Sequence, residues 1–385
     1  MSAAELARAF TEVGLWSCLA LVAYVYVGYP LTLLLLKRRP HAATPAALPR
    51  VTVVIAAYNE AEHIEATLLN KLAQEYPPEL LDLVVVSDGS TDATDTIVAR
   101  HSGPRVTLVR QEPRQGKTMA LNRAMDVARG DIVVFSDANS EYRPGAVREL
   151  VRAFTDPSVG YVTGALVYVN PGQTAVGEGS GFYMQYENWL RRLESAVGSV
   201  VGVNGGIDAV RRRLYRPMEP GHLPDFVLPL RVVEQGYRVV FSERAVAHEA
   251  ALGYQADEFK MRVRVTLRAL HALYDMRGLL HPRHGVFAFQ LWVHKVVRYG
   301  VFVPLGGAFL LNLALVAHPG YVVLLGAQSL CYALALIGWL SGGRIRLRAV
   351  FVPFYFCLLN AAAGAALVRF LNGERQVLWT PRKGA

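Results

Sequence analysis

Apolar residues are concentrated at the two ends of the 385-residue chain, while the middle alternates short apolar and polar stretches. The run Val13–Leu36 contains no charged residue and is long enough to cross a hydrocarbon core about 30 Å thick. Three further apolar runs follow near the other end, at about Tyr299–Ala317, Tyr321–Leu340 and Val350–Val368. We therefore expect an N-terminal transmembrane anchor in residues 1–40 and C-terminal transmembrane helices in residues 299–370.

Two shorter segments connect these parts. Phe287–Arg298 mixes aromatic residues with His294, Lys295 and Arg298. That composition is typical of a helix lying in the membrane interface, and we assign it to residues 281–298. His41–Arg50, with Pro45 and Pro49 and preceded by Pro40, is predicted to be a linker. Residues 371–385 form a basic tail.

The middle of the chain, residues 50–280, alternates β-branched runs with helical stretches. The predicted strands are Val51–Ala57, Leu81–Ser87, Arg105–Arg110 and Asp131–Ser136. The predicted helices between them are Glu60–Glu75, Thr91–His101 and Thr118–Ala128. This alternation predicts an α/β domain with a parallel sheet, whose ligands bind beyond the carboxyl ends of the strands.

Charge and cysteine content refine this picture. The net charge is +9, and many basic residues stand beside the apolar runs rather than in a stripe with aromatic residues, as in Lys37–Arg39. This placement favours anionic membrane lipids over nucleic acid, and puts the N-terminus outside and the polar domain in the cytoplasm. Four spans would then leave the basic tail outside, against the same rule. All three cysteines lie in apolar segments, which excludes a disulfide framework in the polar domain.

Polar residues follow three of the predicted strands. Asp88, before Gly89-Ser90-Thr91-Asp92, either belongs to a turn and helix cap or accepts a hydrogen bond from a nucleotide base. Lys117 at a helix start either is a solvated lysine or contacts a diphosphate. A P-loop is excluded because Gln111 stands where its first glycine is needed.

Asp137 and Asn139 end the fourth strand with their side chains one residue apart. Such oxygen donors suit Mg²⁺ or Mn²⁺, although both residue types also form ordinary turns. His248 follows a later strand, where a single histidine is more often structural, so it is not included in the predicted metal site.

Together, Val51–Glu60, Ser87–Asp92, Gly116–Asn122 and Asp137–Asn139 resemble the nucleotide-binding half of the family 2 glycosyltransferases, the group of cellulose, hyaluronan and chitin synthases. The resemblance implies a GT-A, Rossmann-like fold. It also implies that Ala57, Tyr58, Glu60 and Asp88 line the nucleoside pocket. Lys117 then contacts the base or the diphosphate, Asp137 contacts the diphosphate, and Asp137 and Asn139 hold the metal.

The acceptor half resembles the family less closely. Asp225 matches the catalytic base, but Pro224 replaces the acidic residue before it, and a helix cap is the alternative. Arg264 matches the arginine of a Gln-x-x-Arg-Trp motif whose tryptophan is Val265 here. The alternative for Arg262, Arg264 and Arg268 is a basic helix face on lipid headgroups. Asn204, Gly205 and Gly206 resemble the loop on the acceptor side.

The resemblance implies an inverting transfer of sugar from a nucleotide sugar, with UDP the expected nucleotide, to a lipid-linked or polysaccharide acceptor. The expected location is the cytoplasmic face of the inner membrane, in a multi-pass protein. We expect Asp88, Asp137 and Asp225 to share one cavity. Two alternatives remain: a non-catalytic membrane scaffold that keeps the fold, and a sugar nucleotidyltransferase, which has no need for several apolar spans.

Overall fold

The structure is a computed structural model that describes residues 2–39, 47–169, 175–250, 254–345 and 347–376. Most of the predicted linker, including Pro45, lies outside the described residues, as does the preceding Pro40. So do the tail residues Arg382 and Lys383.

The predicted strands and helices of the first half are present with small changes at their ends. In chain order, the strands are β1 Val51–Ala57, β2 Leu81–Asp88, β3 Val106–Gln111, β4 Ile132–Asp137, β5 Glu141–Tyr142, β6 Val159–Val169, β7 Asp208–Arg211 and β8 Arg238–Ala250. The α-helices are α1 Ala3–Ala23, α2 Tyr29–Leu35, α3 Ile64–Leu72, α4 Thr94–Arg100, α5 Lys117–Met125, α6 Ala146–Ala153, α7 Ala175–Val197, α8 Pro224–Glu234, α9 Gln255–Asp275, α10 Val286–Leu291, α11 Phe302–Leu313, α12 Pro319–Leu340 and α13 Arg348–Leu371.

These strands form one eight-stranded sheet in the order β3-β2-β1-β4-β7-β6-β8-β5. The first four are parallel, as predicted. From β7 onward the sheet is mixed, because β7 runs antiparallel to both β4 and β6, while β6 and β8 are parallel to each other. The change of direction brings the second half of the domain against the carboxyl ends of β1 and β4.

Both faces of the sheet are buried, which explains the continuous apolar runs in its strands. On β1, Val53 and Ile55 pack with Ile64 and Leu68 of α3 on one face. Val54 and Ala56 belong to the core of the opposite face, with Leu121 of α5.

Among the described residues, three helical stretches are long and apolar enough to span a membrane: Ala3–Leu35, Pro319–Leu340 and Arg348–Leu371. A fourth span is possible only if Val286–Val297 and Phe302–Leu313, which meet at a 59° bend, cross together. With three spans and the N-terminus outside, Arg375 is on the cytoplasmic side and the basic turn around Arg344 is outside. With four spans, the two basic groups exchange sides.

The segment predicted to lie in the interface directs its basic side chains inward. His294 is buried between Glu194 and Glu187, with its Nδ1 2.6 Å from Glu194 Oε1. Tyr29 donates a hydrogen bond to the same Glu194 oxygen at 2.7 Å. The N-terminal anchor and the segment before α11 are therefore joined through Glu194 of α7.

Candidate active site

The site forms where the ends of β1 and β4 meet the start of α5. Asp137 is the last residue of β4, and Lys117 is the first residue of α5. Lys117 Nζ lies 2.5 Å from Asp137 Oδ1 and 3.9 Å from Asp225 Oδ1. Burial alone would lower the pKa of Lys117, but Asp137 and Asp225 raise it above its ordinary value. Lys117 is therefore a permanent positive charge between the two carboxylates.

Asp225 comes from the other half of the domain. It lies in the first turn of α8, directly after Pro224. A Cβ atom added to Gly205 would lie 2.2 Å from the Asp225 carboxyl carbon, so only glycine leaves room for this carboxylate. Gly205, predicted on the acceptor side, thus leaves the space in which the proposed base stands.

Two cavities meet at Asp137 and Asp225. A strand-end cavity of about 120 Å³ is lined by, among others, Glu60, Lys117, Asn139 and Arg264. A central cavity of about 240 Å³ is lined on its other side by Asn204, Gly205 and Gly206. Both cavities include Asp137 and Asp225 in their walls. A donor and an acceptor could therefore approach the two carboxylates from different sides.

The donor set fits a hard divalent cation. Asp137 and Asn139 both line the strand-end cavity, and the Asn139 side chain makes no hydrogen bond within the described part of the chain. A carboxylate and an amide oxygen leave coordination positions for water and phosphate oxygens, as such cations require. No group of three or more His, Cys, Asp or Glu side chains suited to a metal occurs among the described residues. His248 lines neither cavity.

Helix α3 holds the loop that carries Asn139 in place. Thr67 donates to the Ala138 carbonyl at 2.6 Å, and the fully buried Lys71 donates to the Ser140 carbonyl at 2.5 Å. Asn70 forms a hydrogen bond in each direction with the Tyr142 backbone. Burial lowers the pKa of Lys71 to about 7. The sequence analysis missed these residues because their partners lie about 70 residues away.

Asp88 does not reach either cavity, so the expected shared cavity contains only Asp137 and Asp225. Asp88 is fully buried and accepts hydrogen bonds from Gln111 Nε2 and from the backbone of Gln115 and Gly116, at 2.6 to 2.8 Å. These bonds anchor the loop before Lys117, and they occupy both carboxylate oxygens.

Of the other three residues predicted for the nucleoside pocket, one lines the strand-end cavity and two line neither cavity. Ala57 is buried, and the Arg114 guanidinium lies 3.5 Å from the ring centre of Tyr58. Neither Ala57 nor Tyr58 lines the strand-end or the central cavity. Glu60 does line the strand-end cavity. Burial, with Asp137 and Asp92 nearby, raises the pKa of Glu60 to about 7. Glu60 therefore changes charge near neutral pH.

The arginines of α9 face the protein interior. Arg264 and Arg268 line the strand-end cavity, and Arg262 lines the central cavity. Arg262 lies 2.8 Å from Glu258, and Arg268 is buried against the Thr118 hydroxyl. Burial lowers the pKa of Arg268 to about 10, so it stays cationic at neutral pH. This orientation argues against a helix face that rests on lipid headgroups.

Behind Asp225 lies a second carboxyl group that the sequence analysis did not assign. Asp208 is buried, accepts a hydrogen bond from the Tyr161 hydroxyl, and has an Oδ1 atom without a partner in the described residues. Burial and the nearby Asp225 raise the pKa of Asp208 well above its ordinary value. The shift favours the neutral form of this carboxyl group beside Asp225.

Known proteins resemble this chain both in sequence and in structure. Residues 52–216 match the model of glycosyl transferase family 2. This part of the chain is therefore a glycosyl transferase family 2 domain. A mannosyltransferase from Pyrobaculum calidifontis, solved with GDP-Man and Mn²⁺, superposes with a TM-score of 0.69 at 25% identity. The superposition covers 93% of this chain and 99% of that one.

Curated relatives match over shorter stretches. A Bacillus subtilis protein named "Probable glycosyltransferase YdaM" is 28% identical over 52% of this chain and 51% of its own length. A beta-monoglucosyldiacylglycerol synthase from Nostoc is 26% identical over 43% of this chain and 36% of its own length. The chain thus spans about half or less of these relatives. The predicted family, its glycosyltransferase class and the GT-A fold with apolar helices at both ends are confirmed.

Proposed function

We propose that this glycosyltransferase moves a sugar, with inversion, from a nucleotide-sugar donor to a lipid-linked or polysaccharide acceptor at a membrane. The observation that carries the proposal is the meeting of Asp137, Lys117 and Asp225 where the strand-end and central cavities join. The family membership and the neighbour bound to GDP-Man and Mn²⁺ support a nucleotide-sugar donor and a divalent cation.

In this proposal the donor lies in the strand-end cavity. Lys117 and Arg264 contact the diphosphate, Glu60 lies on the nucleoside side, and Asp88 acts by holding the loop before Lys117. Mg²⁺ or Mn²⁺ held by Asp137 and Asn139 would neutralise charge on the diphosphate. The expected nucleotide is UDP, by resemblance to the family. The nucleoside would lie beside Ala57 and Tyr58.

The acceptor approaches through the central cavity, past Asn204, Gly205 and Gly206. Asp225 takes the proton of an acceptor hydroxyl, whose oxygen attacks the anomeric carbon. The bond from that carbon to the diphosphate breaks, and the nucleoside diphosphate leaves with the electron pair. Developing charge on the leaving group is stabilised by the fixed cations Lys117 and Arg264.

The test is a panel of radiolabelled nucleotide sugars given to purified full-length protein with Mn²⁺, with release of nucleoside diphosphate and product size measured. Asp225→Asn should lower turnover by about 10²–10⁴-fold while leaving nucleoside diphosphate binding intact. Asp126→Asn, at an exposed position on α5's far end, is the matched control. A protein that releases no nucleoside diphosphate from any donor is the scaffold alternative, and release of pyrophosphate indicates a nucleotidyltransferase.

We also propose that the protein is a multi-pass inner-membrane protein with its catalytic domain in the cytoplasm. The apolar helices and the basic residues Lys37–Arg39 after the first of them support this orientation. Asp126→Cys in a variant whose native cysteines are replaced should react with an impermeant maleimide only after the cells are opened. Labelling of intact cells would place the domain outside.

A further inference from the structure

The central cavity carries a group of cations that the transfer reaction does not use. Four basic side chains line it: Arg191, Arg262, Lys295 and Arg298. Arg298 Nη1 lies 2.7 Å from Glu187 Oε1, and Arg191 Nη2 lies 3.9 Å from the other Glu187 oxygen. Arg262 pairs with Glu258. Three of the four cations therefore have a carboxylate partner.

Lys295 is the exception. Within the described residues it forms no ion pair or hydrogen bond, and its ammonium lies 5.6 Å from the Phe226 ring centre and 5.9 Å from that of Tyr299. The other nearby carboxylate, Glu194, is bonded to His294 and Tyr29. Lys295 is therefore the one of these four cations that has no carboxylate partner among the described residues. A partly buried ammonium surrounded by rings and backbone is costly unless an anion joins it.

The backbone at Gly202 leaves space for the Lys295 ammonium group. A Cβ atom added to Gly202 would lie 2.8 Å from Lys295 Nζ, so glycine at this position lets the loop before Asn204 pass close to the ammonium in its present position. Phe226, under the ammonium, directly follows Asp225. An anion bound to Lys295 would therefore lie beside the proposed base, on the acceptor side.

An apolar cavity opens from this cationic region toward the membrane helices. Its volume is about 160 Å³, and it shares Tyr26, Tyr183, Arg298 and Leu359 with the central cavity. Its remaining walls come mainly from α7 and α13, including Phe182, Phe351 and Phe356. Tyr26 belongs to the N-terminal span and Leu359 to the last one. The cavity therefore lies between two helices that can contact lipid.

We propose that the acceptor is a membrane lipid with a phosphate group in its head, and that this phosphate binds Lys295 and Arg298. Its apolar chain occupies the cavity between Tyr26 and α13, and its reacting hydroxyl points to Asp225. An uncharged glycan would leave the Lys295 charge without a partner, whereas a phosphate oxygen and an ammonium form a strong charge-assisted hydrogen bond. This inference rests on the proposed function and specifies its acceptor.

The test is equilibrium binding of ³²P-labelled dodecyl phosphate to the full-length protein in an uncharged steroid-based detergent, without donor. Wild-type protein should bind it, and Lys295→Met should weaken binding by about 10–100-fold, the effect of losing one charged hydrogen bond. Lys260→Met, which removes an exposed lysine on α9, should leave binding unchanged. Gly202→Ala, which crowds the same ammonium, should weaken binding like Lys295→Met.

Three outcomes would overturn the proposal. One is unchanged dodecyl phosphate binding in Lys295→Met. Another is competition by dodecyl glucoside as strong as that by unlabelled dodecyl phosphate, which would indicate a glycan site. The third is equal competition by inorganic phosphate, which would show that no lipid chain is recognised. Binding needs no turnover, so these results are independent of nucleoside diphosphate release, which tests the proposed function.

Discussion

The two halves of the sheet place their functional groups in different ways. In the half from β1 to β4, all strands are parallel, and Asp137 stands at a strand end whose position follows from the register with β1. In the half from β6 to β8, strand directions are mixed, and Asp225 stands at the start of a helix that must fit against Gly205. The donor side therefore depends on sheet geometry, and the acceptor side on clearance between loops.

The largest expected effect comes from removing that clearance. Gly205→Ala puts a methyl group where the Asp225 carboxylate stands, so the carboxylate must leave its position or the loop must move. We expect turnover to fall by about 10²–10⁴-fold, as for loss of the base itself. Nucleoside diphosphate affinity, measured by calorimetry, should stay near wild type. If donor affinity falls as well, the change on the acceptor side also disturbs the donor side. Gly221→Ala, where an added methyl group meets no atom within 4 Å, is the control.

A smaller effect is expected from substituting Lys117, which contacts one carboxylate from each half of the sheet domain. Lys117 Nζ contacts both Asp137 and Asp225, so Lys117→Met removes a charge from donor and base together. Donor affinity should fall by about 10–100-fold, because a charged hydrogen bond to phosphate is lost. If turnover falls at saturating donor while affinity does not change, Lys117 acts on Asp225 rather than on the diphosphate.

The pH dependence of metal binding tests the donor side by itself. The Glu60 pKa, raised by burial and by Asp137 and Asp92 to about 7, makes the side chain neutral below pH 7 and negative above it. Mn²⁺ affinity, measured by electron paramagnetic resonance, should therefore rise severalfold from pH 6 to pH 8, because the added negative charge lies beside Asp137. Glu60→Gln should flatten that rise. A rise of the same size in this variant would assign it to another group.

The smallest effect is expected from substituting Asp208, which lies behind the proposed base Asp225. Burial and the nearby Asp225 raise the pKa of the Asp208 carboxyl, which favours its neutral form, and Asp208→Asn keeps the shape of that neutral side chain. Turnover should stay within about threefold of wild type, and Asp208→Ala should instead lower the melting temperature by leaving the Tyr161 hydroxyl unpaired. A large activity loss in Asp208→Asn would mean that this carboxyl is ionised during turnover.

Several features of the donor side were predictable because they depend on short stretches of chain. The bounds of β1 were predicted correctly from an unbroken apolar run, and Asp137 and Asn139 were placed at the end of β4 by the same reasoning. Asp88 shows the limit of that reasoning. Its strand-end position is as predicted, but its oxygens are taken by a loop that begins 23 residues later.

The acceptor side was less predictable. Its main features depend on contacts between residues far apart in the chain. They are the antiparallel pairing of β7, the inward direction of His294 and Lys295, and the buried pairs Ser140–Glu249 and Tyr161–Asp208. Basic residues among aromatic ones fit a helix on lipid as well as a helix that lines a cavity, because composition alone does not give the direction of a side chain.

The sequence by itself determined the family, the parallel half of the sheet and the apolar helices at both ends, since each depends on periodicity or on a motif within one element. Only the tertiary structure decided which carboxylates share a cavity, why Gly205 is needed and where Lys295 points. Those facts depend on distances between elements, and a distance across the fold is set by the packing of every layer between them.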